Sequence, residues 1–304
     1  MAKLRFNTTP LTDHGSAIEL APGVRRVTCN NPGPFTFCGT NSYIIGEGDV
    51  MLLDPGPVDS VHIDALLAAT KGERIDKILI SHTHADHSAG AKLLQDRCGA
   101  PIYAEGPHRD SRPLHLGEVN ALDASSDRDL VIDHQIKDGD QINGDGWALT
   151  VLHTPGHAMN HLCFAFTDGT GLFSADHVMA WSTSIVAPPD GSMADYMSSL
   201  DRLIARNDPV FWPGHGDVLE DPKPFLAGLK AHRVQREAAL VDRLTAGDET
   251  IAEMVAVVYR DVDRSLHDAA SLSMFAQLEY LMAQERVVCL DEAPTLSARY
   301  RLVD

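Results

Sequence analysis

The sequence has no long apolar run. No window approaches the roughly 20 residues that a membrane-spanning helix needs. The amino-terminal stretch from Met1 to Pro10 contains Lys3 and Arg5 but no apolar segment of signal-peptide length. Since neither an anchor nor a secretion signal is visible, we expect a soluble, cytoplasmic protein.

Cysteine and basic side chains are also scarce. The five cysteines are an odd number without CxxC spacing, which argues for reduced thiols rather than a disulfide framework. With 25 basic and 43 acidic residues, the formal net charge is −18. Such a charge repels polyphosphates, so the composition disfavours tight nucleic-acid binding and favours small-molecule substrates.

The most informative segment is Ser81 to His87, which directly follows the largely apolar run Ile75 to Ile80. Four ligand-type side chains fall within six positions, namely His82, His84, Asp86 and His87. A lone histidine here would indicate an ordinary surface turn, but four such residues favour metal binding. A strand feeding a turn would let one segment face two metal positions, and we expect a helix from Ser88 to Arg97 directly after it. Imidazole and carboxylate suit zinc, iron or manganese.

Three later segments offer further ligands, and each follows a short apolar stretch typical of a buried strand. They are Thr154 to His157, Ser174 to His177 and Pro213 to Gly216. We therefore expect three side chains to project from strand ends, namely His157, Asp176 and His215.

The ordered motifs HTHADH, TPGH, SADH and PGHG resemble those of the metallo-β-lactamase superfamily. The resemblance implies an α/β (α+β) fold, the αββα sandwich, with two divalent metal ions at one edge of its sheets. Zinc is the first choice, with iron or manganese as alternatives. The resemblance implies that one metal is bound by His82, His84 and His157. It implies that the other is bound by Asp86, His87 and His215, and that Asp176 bridges the two.

With His87 as an added ligand and Asp176 at the bridging place, the chain resembles the glyoxalase II and endoribonuclease branches more than the antibiotic-hydrolysing enzymes. The features similar to the lactamase-β-2 branch are Asn31 to Pro34, Gly39 to Tyr43, Leu53 to Gly56 and the pair His157 and His161. In that branch a small winged-helix-like domain follows the last metal-binding histidine. We thus predict a catalytic domain over 1–221 and a helical or winged-helix-like domain over 222–304.

The predicted carboxyl-terminal domain contains three helical patterns and a terminal hairpin. The helices are expected at Pro224 to Thr245, Thr250 to Tyr259 and Ser265 to Gln284, and the hairpin at Val287 to Leu290 and Ala298 to Val303. Because 222–304 holds 10 basic against 13 acidic residues, we interpret this domain as a packing or dimerisation module rather than a DNA-binding one. A homodimer is thus one expectation. The sequence does not assign a role to two segments. Gly106 to Ile136 matches no motif, and the loop Trp181 to Gly191 is either a pocket wall or a plain connection.

The predicted chemistry is hydrolysis by a water that two metals share and activate. Two side chains are candidate catalytic residues: Asp86, which would orient that water, and His161. The latter would either protonate the leaving group or support a metal ligand. Asp54 is expected to support the metal loop by hydrogen bonds.

Three functions remain at this point. We favour hydrolysis of an ester, thioester or lactone of a small molecule. The alternative is an endoribonuclease or phosphodiesterase acting on single-stranded RNA, and a third is a non-hydrolytic metal or redox protein.

Overall fold

The computed structural model describes residues 4–303, which form two facing β-sheets flanked by helices. The first sheet has seven strands in chain order: β1 Ala17–Ala21, β2 Val24–Thr28, β3 Asn41–Ile45, β4 Asp49–Leu53, β5 Arg74–Leu79, β6 Ile102–Ala104 and β7 His134–Gln135. The second has six, which run from its far edge as β13 Leu219–Glu220, β12 Val210–Pro213, β11 Leu172–Ala175, β10 Leu162–Phe166, β9 Ala148–His153 and β8 Gln141–Asn143.

Seven α-helices complete the described chain. They are α1 Ser60–Ala69, α2 Ala85–Ser88, α3 Ala91–Cys98, α4 Met193–Ile204, α5 Pro222–Thr245, α6 Ile251–Val258 and α7 His267–Ala283. The carboxyl-terminal hairpin pairs β14 Val287–Cys289 with β15 Tyr300–Leu302. Between residues 4 and 303, no helix combines the length and apolarity that crossing a bilayer requires.

The core has the layers of the predicted αββα sandwich, which the structure confirms. Between the sheets lie large buried side chains that include Tyr43, Phe164, Phe173 and Trp212. Helices α1 and α3 cover the outer face of the first sheet through Ile63, Leu66 and Leu94, and α4 covers the second through Tyr196, Leu200 and Leu203. Burial of these apolar faces is the main favourable term in holding the four layers together.

One helix differs from its prediction. The helix expected from Ser88 to Arg97 is two helices, because the chain breaks at Gly90 between α2 and α3. The Gly90 N–H donates to the carbonyl of Gly56 at 2.8 Å, and a Cβ at this position would meet the Pro57 carbonyl oxygen at 2.7 Å. The break therefore lets the chain pass close to the loop that follows β4.

The carboxyl-terminal helices and hairpin form where they were predicted. Helix α6 begins with a capping box, in which the side chains of Thr250 and Glu253 each accept a hydrogen bond from the backbone N–H of the other residue. The tail has its own core, which includes Leu240, Met254 and Phe275. It also packs on the sandwich, since Ala276 joins the cluster around α4. The boundary between 221 and 222 coincides with the start of α5 and stays a prediction as a domain limit.

The segment 106–136, which matches no motif, joins the sandwich to the tail. The Ser111 N–H donates to the carbonyl of Pro189 at 2.7 Å. One residue later, the Arg112 guanidinium binds Glu118 at 2.6 Å and the Glu279 carboxylate on α7 at 2.5 Å. This segment therefore acts as a polar strap that connects the loop before α4 with α7.

Candidate metal centre

Four strand ends deliver the predicted ligands to one edge of the sandwich. The segment after β5 carries His82 and His84, and the loop after β9 carries His157. Asp176 directly follows β11, and His215 lies two residues after β12. The side chains of these residues are buried or nearly so.

The structure brings all seven predicted ligands together in three overlapping groups. Within each group the candidate ligand atoms lie within 4.8 Å of one another: His82, His84 and His157; His82, His87 and Asp176; and Asp86, His87 and His215. In the first group, Nε2 of His82 is 3.0 Å from Nδ1 of His84. In the third, Nε2 of His87 is 3.2 Å from Nε2 of His215.

Asp176 lies between the two sets of histidines. Its Oδ1 is 3.4 Å from Nε2 of His87, and its Oδ2 is 3.3 Å from Nε2 of His215 and 3.6 Å from Nε2 of His157. Asp86 approaches His215 from the other side, with Oδ2 3.2 Å from Nε2. The Asp176 carboxylate thus occupies the position that a bridging ligand requires, although bridging itself stays a prediction.

Each of the five histidines has its second ring nitrogen held by an acceptor, which leaves the other nitrogen facing the centre. The pairs are His82 Nδ1 with Ser81 Oγ at 2.9 Å, His84 Nε2 with Asp190 Oδ2 at 2.7 Å, His87 Nδ1 with Asp54 Oδ2 at 3.0 Å, His157 Nδ1 with the Ile185 carbonyl at 2.8 Å and His215 Nδ1 with the Gly39 carbonyl at 3.1 Å. Such contacts fix the tautomer and orientation of metal-binding imidazoles.

The electrostatics of the centre follow from burial and from the two carboxylates. Burial lowers the pKa of His157 to about 4. Burial acts in the same direction on His215, but Asp176 and Asp86 outweigh it and raise the pKa of that imidazole to about 9. Burial opposes ionisation of Asp176, but His215 and His87 hold the pKa of its carboxyl well below the usual value. The carboxylates are therefore ionised, and a cation at the centre would take over the role of the imidazole protons.

The spacing and the unsatisfied polar atoms of these residues fit a pair of divalent cations. Four ligands about 2.1 Å from a tetrahedral zinc ion are about 3.4 Å apart, and the ligand-atom separations of 3.2 to 3.6 Å around Asp176 and His215 are close to that value. In addition, Nε2 of His157 and Oδ1 of Asp176 are buried without a hydrogen-bond partner. Buried polar atoms without partners are costly, and a metal ligand bond would satisfy both.

The supporting role predicted for Asp54 is confirmed. Its Oδ1 accepts the Ser81 N–H at 2.7 Å, and its Oδ2 accepts the Ser81 hydroxyl at 2.6 Å and Nδ1 of His87 at 3.0 Å. Asp54 adopts a positive φ of 53° directly after β4. This uncommon backbone conformation turns the carboxylate under the metal loop, where one residue orients both His82, through Ser81, and His87.

His161 is close to the centre but is fully engaged elsewhere. Its Nδ1 is 2.9 Å from Oγ1 of Thr154, and its Nε2 accepts the backbone N–H of Asp176 at 3.2 Å. The ring is completely buried, and burial together with the neighbouring His177 lowers its pKa well below the usual value. Because Nε2 accepts a hydrogen bond, the proton lies on Nδ1 and points to Thr154. This geometry favours the supporting role over proton donation to a leaving group.

Sequence reasoning missed the partners that orient the first three-histidine group. Asp190 accepts the hydrogen bond of His84, and the backbone carbonyl of Ile185 accepts that of His157. Both lie in the loop Trp181 to Gly191, whose carboxylate at Asp190 was the one available signal. His108, in the strap, also approaches this network, since its Nε2 lies 3.9 Å from Oδ1 of Asp190.

A cavity of about 710 Å³ opens onto the metal centre. Its lining includes five of the seven predicted ligands, namely His84, Asp86, His157, Asp176 and His215. Trp181 and Ile185 contribute to its wall, so the interpretation of their loop as a pocket wall is confirmed. Another part of the wall comes from α5, from the segment between α6 and α7, and from α7 itself. These elements belong to the tail that the sequence predicts to be a packing or dimerisation module.

Comparisons with known proteins agree with this architecture. The family model described as "Metallo-beta-lactamase superfamily" matches residues 35–215, and the one described as "Beta-lactamase associated winged helix domain" matches residues 250–293. The chain is 29% identical over 281 residues to a beta-lactamase-like protein 2 homolog of Drosophila melanogaster, covering 87% of this chain and 91% of that protein.

Two further comparisons concern a fungal relative and a solved structure. The chain is 28% identical over 255 residues to an atrochrysone carboxyl ACP thioesterase of Aspergillus chevalieri, covering 82% and 74% of the two chains. A crystal structure of a metallo-beta-lactamase family protein from Thermus thermophilus superposes with a TM-score of 0.75 at 22% identity, covering 94% of this chain and all of that one. The latter likeness extends the shared fold into the carboxyl-terminal helices.

Proposed function

Because the chain belongs to the metallo-beta-lactamase superfamily and is a metal-dependent hydrolase, we propose that it cleaves an ester, thioester or lactone of a small molecule. The observation that carries this proposal is the cavity of about 710 Å³, which has the metal ligands at one end and predominantly apolar walls elsewhere. This volume lies in the range of small-molecule sites, and apolar walls with few polar groups are typical of them.

We propose that two divalent ions, zinc by preference, are held by the seven ligands, with Asp176 between the two positions. When bound, such ions activate a water and polarise the carbonyl that it attacks. The chain itself keeps each imidazole in the required tautomer, through Asp190 for His84 and through the Ile185 carbonyl for His157. The carboxylate of Asp86 lines the cavity with 28% of its side chain exposed, which supports a role for it in orienting the attacking water.

The name of the Aspergillus relative supports the thioester among these substrates, since that protein is described as an ACP thioesterase. The net charge of −18 argues against a polyanionic substrate, which the acidic surface would repel. We therefore keep single-stranded RNA as the alternative substrate rather than the favoured one. The cytoplasmic location and a homodimer stay predictions.

The test combines elemental analysis of the purified protein with parallel turnover assays on a thioester, a lactone, a phosphodiester and a short single-stranded RNA. We expect two metal ions per chain and turnover of the thioester or lactone. The Asp176→Asn variant, prepared identically, shows whether any turnover comes from a contaminant. Cleavage of RNA without turnover of the carbonyl substrates would replace this proposal with the ribonuclease alternative.

A further inference from the structure

The helical side of the cavity carries three basic side chains on consecutive turns of α5. His232, Arg233 and Arg236 all line the cavity, and we call this group the basic wall. Its surroundings are mostly apolar, since the segment between α6 and α7 contributes Tyr259, Val262 and Leu266. A cluster of basic groups is unexpected there, because the chain as a whole has 18 more acidic than basic residues.

Arg233 is the most buried member of the basic wall, with a relative exposure of 6%. Its Nη2 donates to the Ser184 carbonyl, and its guanidinium carbon lies 4.7 Å from the centre of the Tyr196 ring. Its Nε is buried without a hydrogen-bond partner. In the described chain, residues 4–303, no carboxylate lies within 4 Å of this guanidinium. A buried charge without a counterion is costly, so the site favours an anion that the protein does not itself supply.

The other members of the basic wall also leave donors free. Nε of Arg236 donates to Nε2 of His232 at 3.4 Å, so the proton of that imidazole lies on Nδ1. This Nδ1 is buried and has no partner among the residues that the structure describes. Arg236 itself donates Nη1 to the Val258 carbonyl at 2.8 Å and stacks on Tyr259 at 4.6 Å. It too lacks a carboxylate partner between residues 4 and 303.

Other shielded arginines of this chain are paired with acids. Arg26, which is 4% exposed, lies 3.4 Å from Asp13 and 3.2 Å from Asp217. Arg112 is held between Glu118 and Glu279. The absence of an acid at the basic wall is therefore not a general property of buried arginines in this protein. It is confined to the wall that faces the cavity.

We propose that the basic wall binds an anionic oxygen group, a carboxylate or a phosphate monoester, carried by the substrate. The proposal rests on the hydrolase function proposed above and narrows its substrate class. The substrate is then an ester or thioester whose apolar body lies along the cavity, with its scissile carbonyl at the metal centre and its anionic group at Arg233 and Arg236. Guanidinium groups match both oxygen groups through paired N–H donors.

A purely structural role of Arg233 predicts a different result. Its Nη2 holds the carbonyl of Ser184, and the next carbonyl, that of Ile185, orients the metal ligand His157. If this were its whole role, removing the guanidinium would slow all substrates alike. An anion-binding role predicts a loss that depends on the charge of the substrate.

The test uses N-acetylcysteamine thioesters of an eight-carbon acyl chain that ends in a carboxylate, a phosphate monoester or a neutral carboxamide. Turnover is compared for wild type, Arg233→Met, Arg236→Met and Lys230→Met. Lys230 is a matched control because it lies on the same helix but pairs with Asp201 on the surface. We expect wild type and Lys230→Met to prefer an anionic thioester over the carboxamide at least tenfold in kcat/KM, mainly through KM. Either cavity variant should reduce that preference at least fivefold.

Two arms distinguish failure of this inference from failure of the proposed function. Calorimetric binding of octanedioic acid monoamide and of the corresponding diamide to the metal-loaded protein requires no turnover. Tighter binding of the acid by wild type and Lys230→Met, lost in Arg236→Met, supports the basic wall even if no thioester is cleaved. Equal losses on charged and neutral thioesters, or no preference for an anion in wild type, would overturn it. Comparison of the carboxylate and phosphate arms then identifies which oxygen group the wall prefers.

Discussion

The metal centre, which forms one end of the cavity and is called the metal end below, differs from the basic wall in how its polar atoms are satisfied. At the metal end, each of the five histidines uses one nitrogen for a protein acceptor and turns the other toward the centre. At the basic wall, Nε of Arg233 and Nδ1 of His232 have no acceptor in the described part of the chain. Bound cations thus satisfy the polar atoms of the metal end, and a bound anion satisfies those of the basic wall. The cavity therefore selects its ligands by charge at both places.

The two regions also differ in the elements that carry them. The metal ligands project from strand ends that the sandwich core fixes from both sides. The helical wall belongs to a tail with its own core, which contacts the sandwich through α4 and the strap. The sandwich core therefore fixes the position of the metal ligands, whereas the position of the basic wall depends on how the tail packs against α4 and the strap.

Among the variants considered, loss of the Asp176 carboxylate should have the largest effect on metal content and turnover, because it removes the group between the two metal positions. For Asp176→Ala we expect the loss of at least one metal ion per chain and a fall in turnover of more than about 100-fold, beyond what loss of a supporting partner costs. The fold should persist, because the sandwich core does not depend on this side chain. Elemental analysis, circular dichroism and turnover measure the three properties.

The control for that variant is Asp201→Asn, which changes an exposed carboxylate on α4. It should keep its metal and its activity. Full metal content together with retained turnover in Asp176→Ala would refute the bridging role.

Asp190→Asn should weaken only the hydrogen bond that orients the metal ligand His84, and it should leave the basic wall unchanged. The substituted amide would keep the shape of the side chain but not the charge that accepts the His84 hydrogen bond at 2.7 Å. We expect metal affinity to fall about 10- to 100-fold, the usual cost of losing such a partner. Competition with a chelator of known affinity measures the change. Asp261→Asn, at a 92% exposed side chain, is the control, and an equal effect of both variants would contradict the role of Asp190.

His161→Ala separates support of the metal end from proton donation. Because Nε2 of His161 accepts the Asp176 N–H, we expect a loss of about tenfold that is the same for thioesters with good and poor leaving groups. Steady-state rates on an aryl and an alkyl thioester of one acid make the comparison. A much larger loss on the alkyl thioester would establish the proton-donor role instead.

Arg112→Met should give the smallest effect, because it loosens the strap between the two regions without changing a metal ligand or a residue of the basic wall. The change leaves the largely buried carboxylates of Glu118 and Glu279 without their shared cation. We expect the free energy of unfolding to fall by about 1–2 kcal/mol, as for a lost charged hydrogen-bond partner. Urea denaturation measures this.

Arg74→Met is the matched control, since it breaks a solvent-exposed ion pair with Asp49, and such pairs contribute little to stability. A destabilisation by Arg112→Met no larger than that of the control would show that the strap does not hold the tail.

Much of the fold and centre could be predicted because the informative residues are close in sequence. His82, His84, Asp86 and His87 share one turn, and the later ligands each follow a short apolar strand. The helix break at Gly90 could not be predicted in this way, since it depends on carbonyls of residues 55–57 that pack against it. The contact between the strap and α7 could not be predicted either, because Arg112 and Glu279 are more than 160 positions apart in the sequence.

The sequence by itself predicted the seven candidate ligands that the fold brings together, and it determined the layer order of the sandwich and the helical character of the tail, because spacing and apolar periodicity are local properties. Only the tertiary structure decided which acceptors orient the ligands, since two of them are backbone carbonyls, of Gly39 and Ile185, that leave no trace in residue type. It also decided that α5 faces the cavity with Arg233 unpaired. That outcome depends on which charges meet after folding, and no local pattern records it.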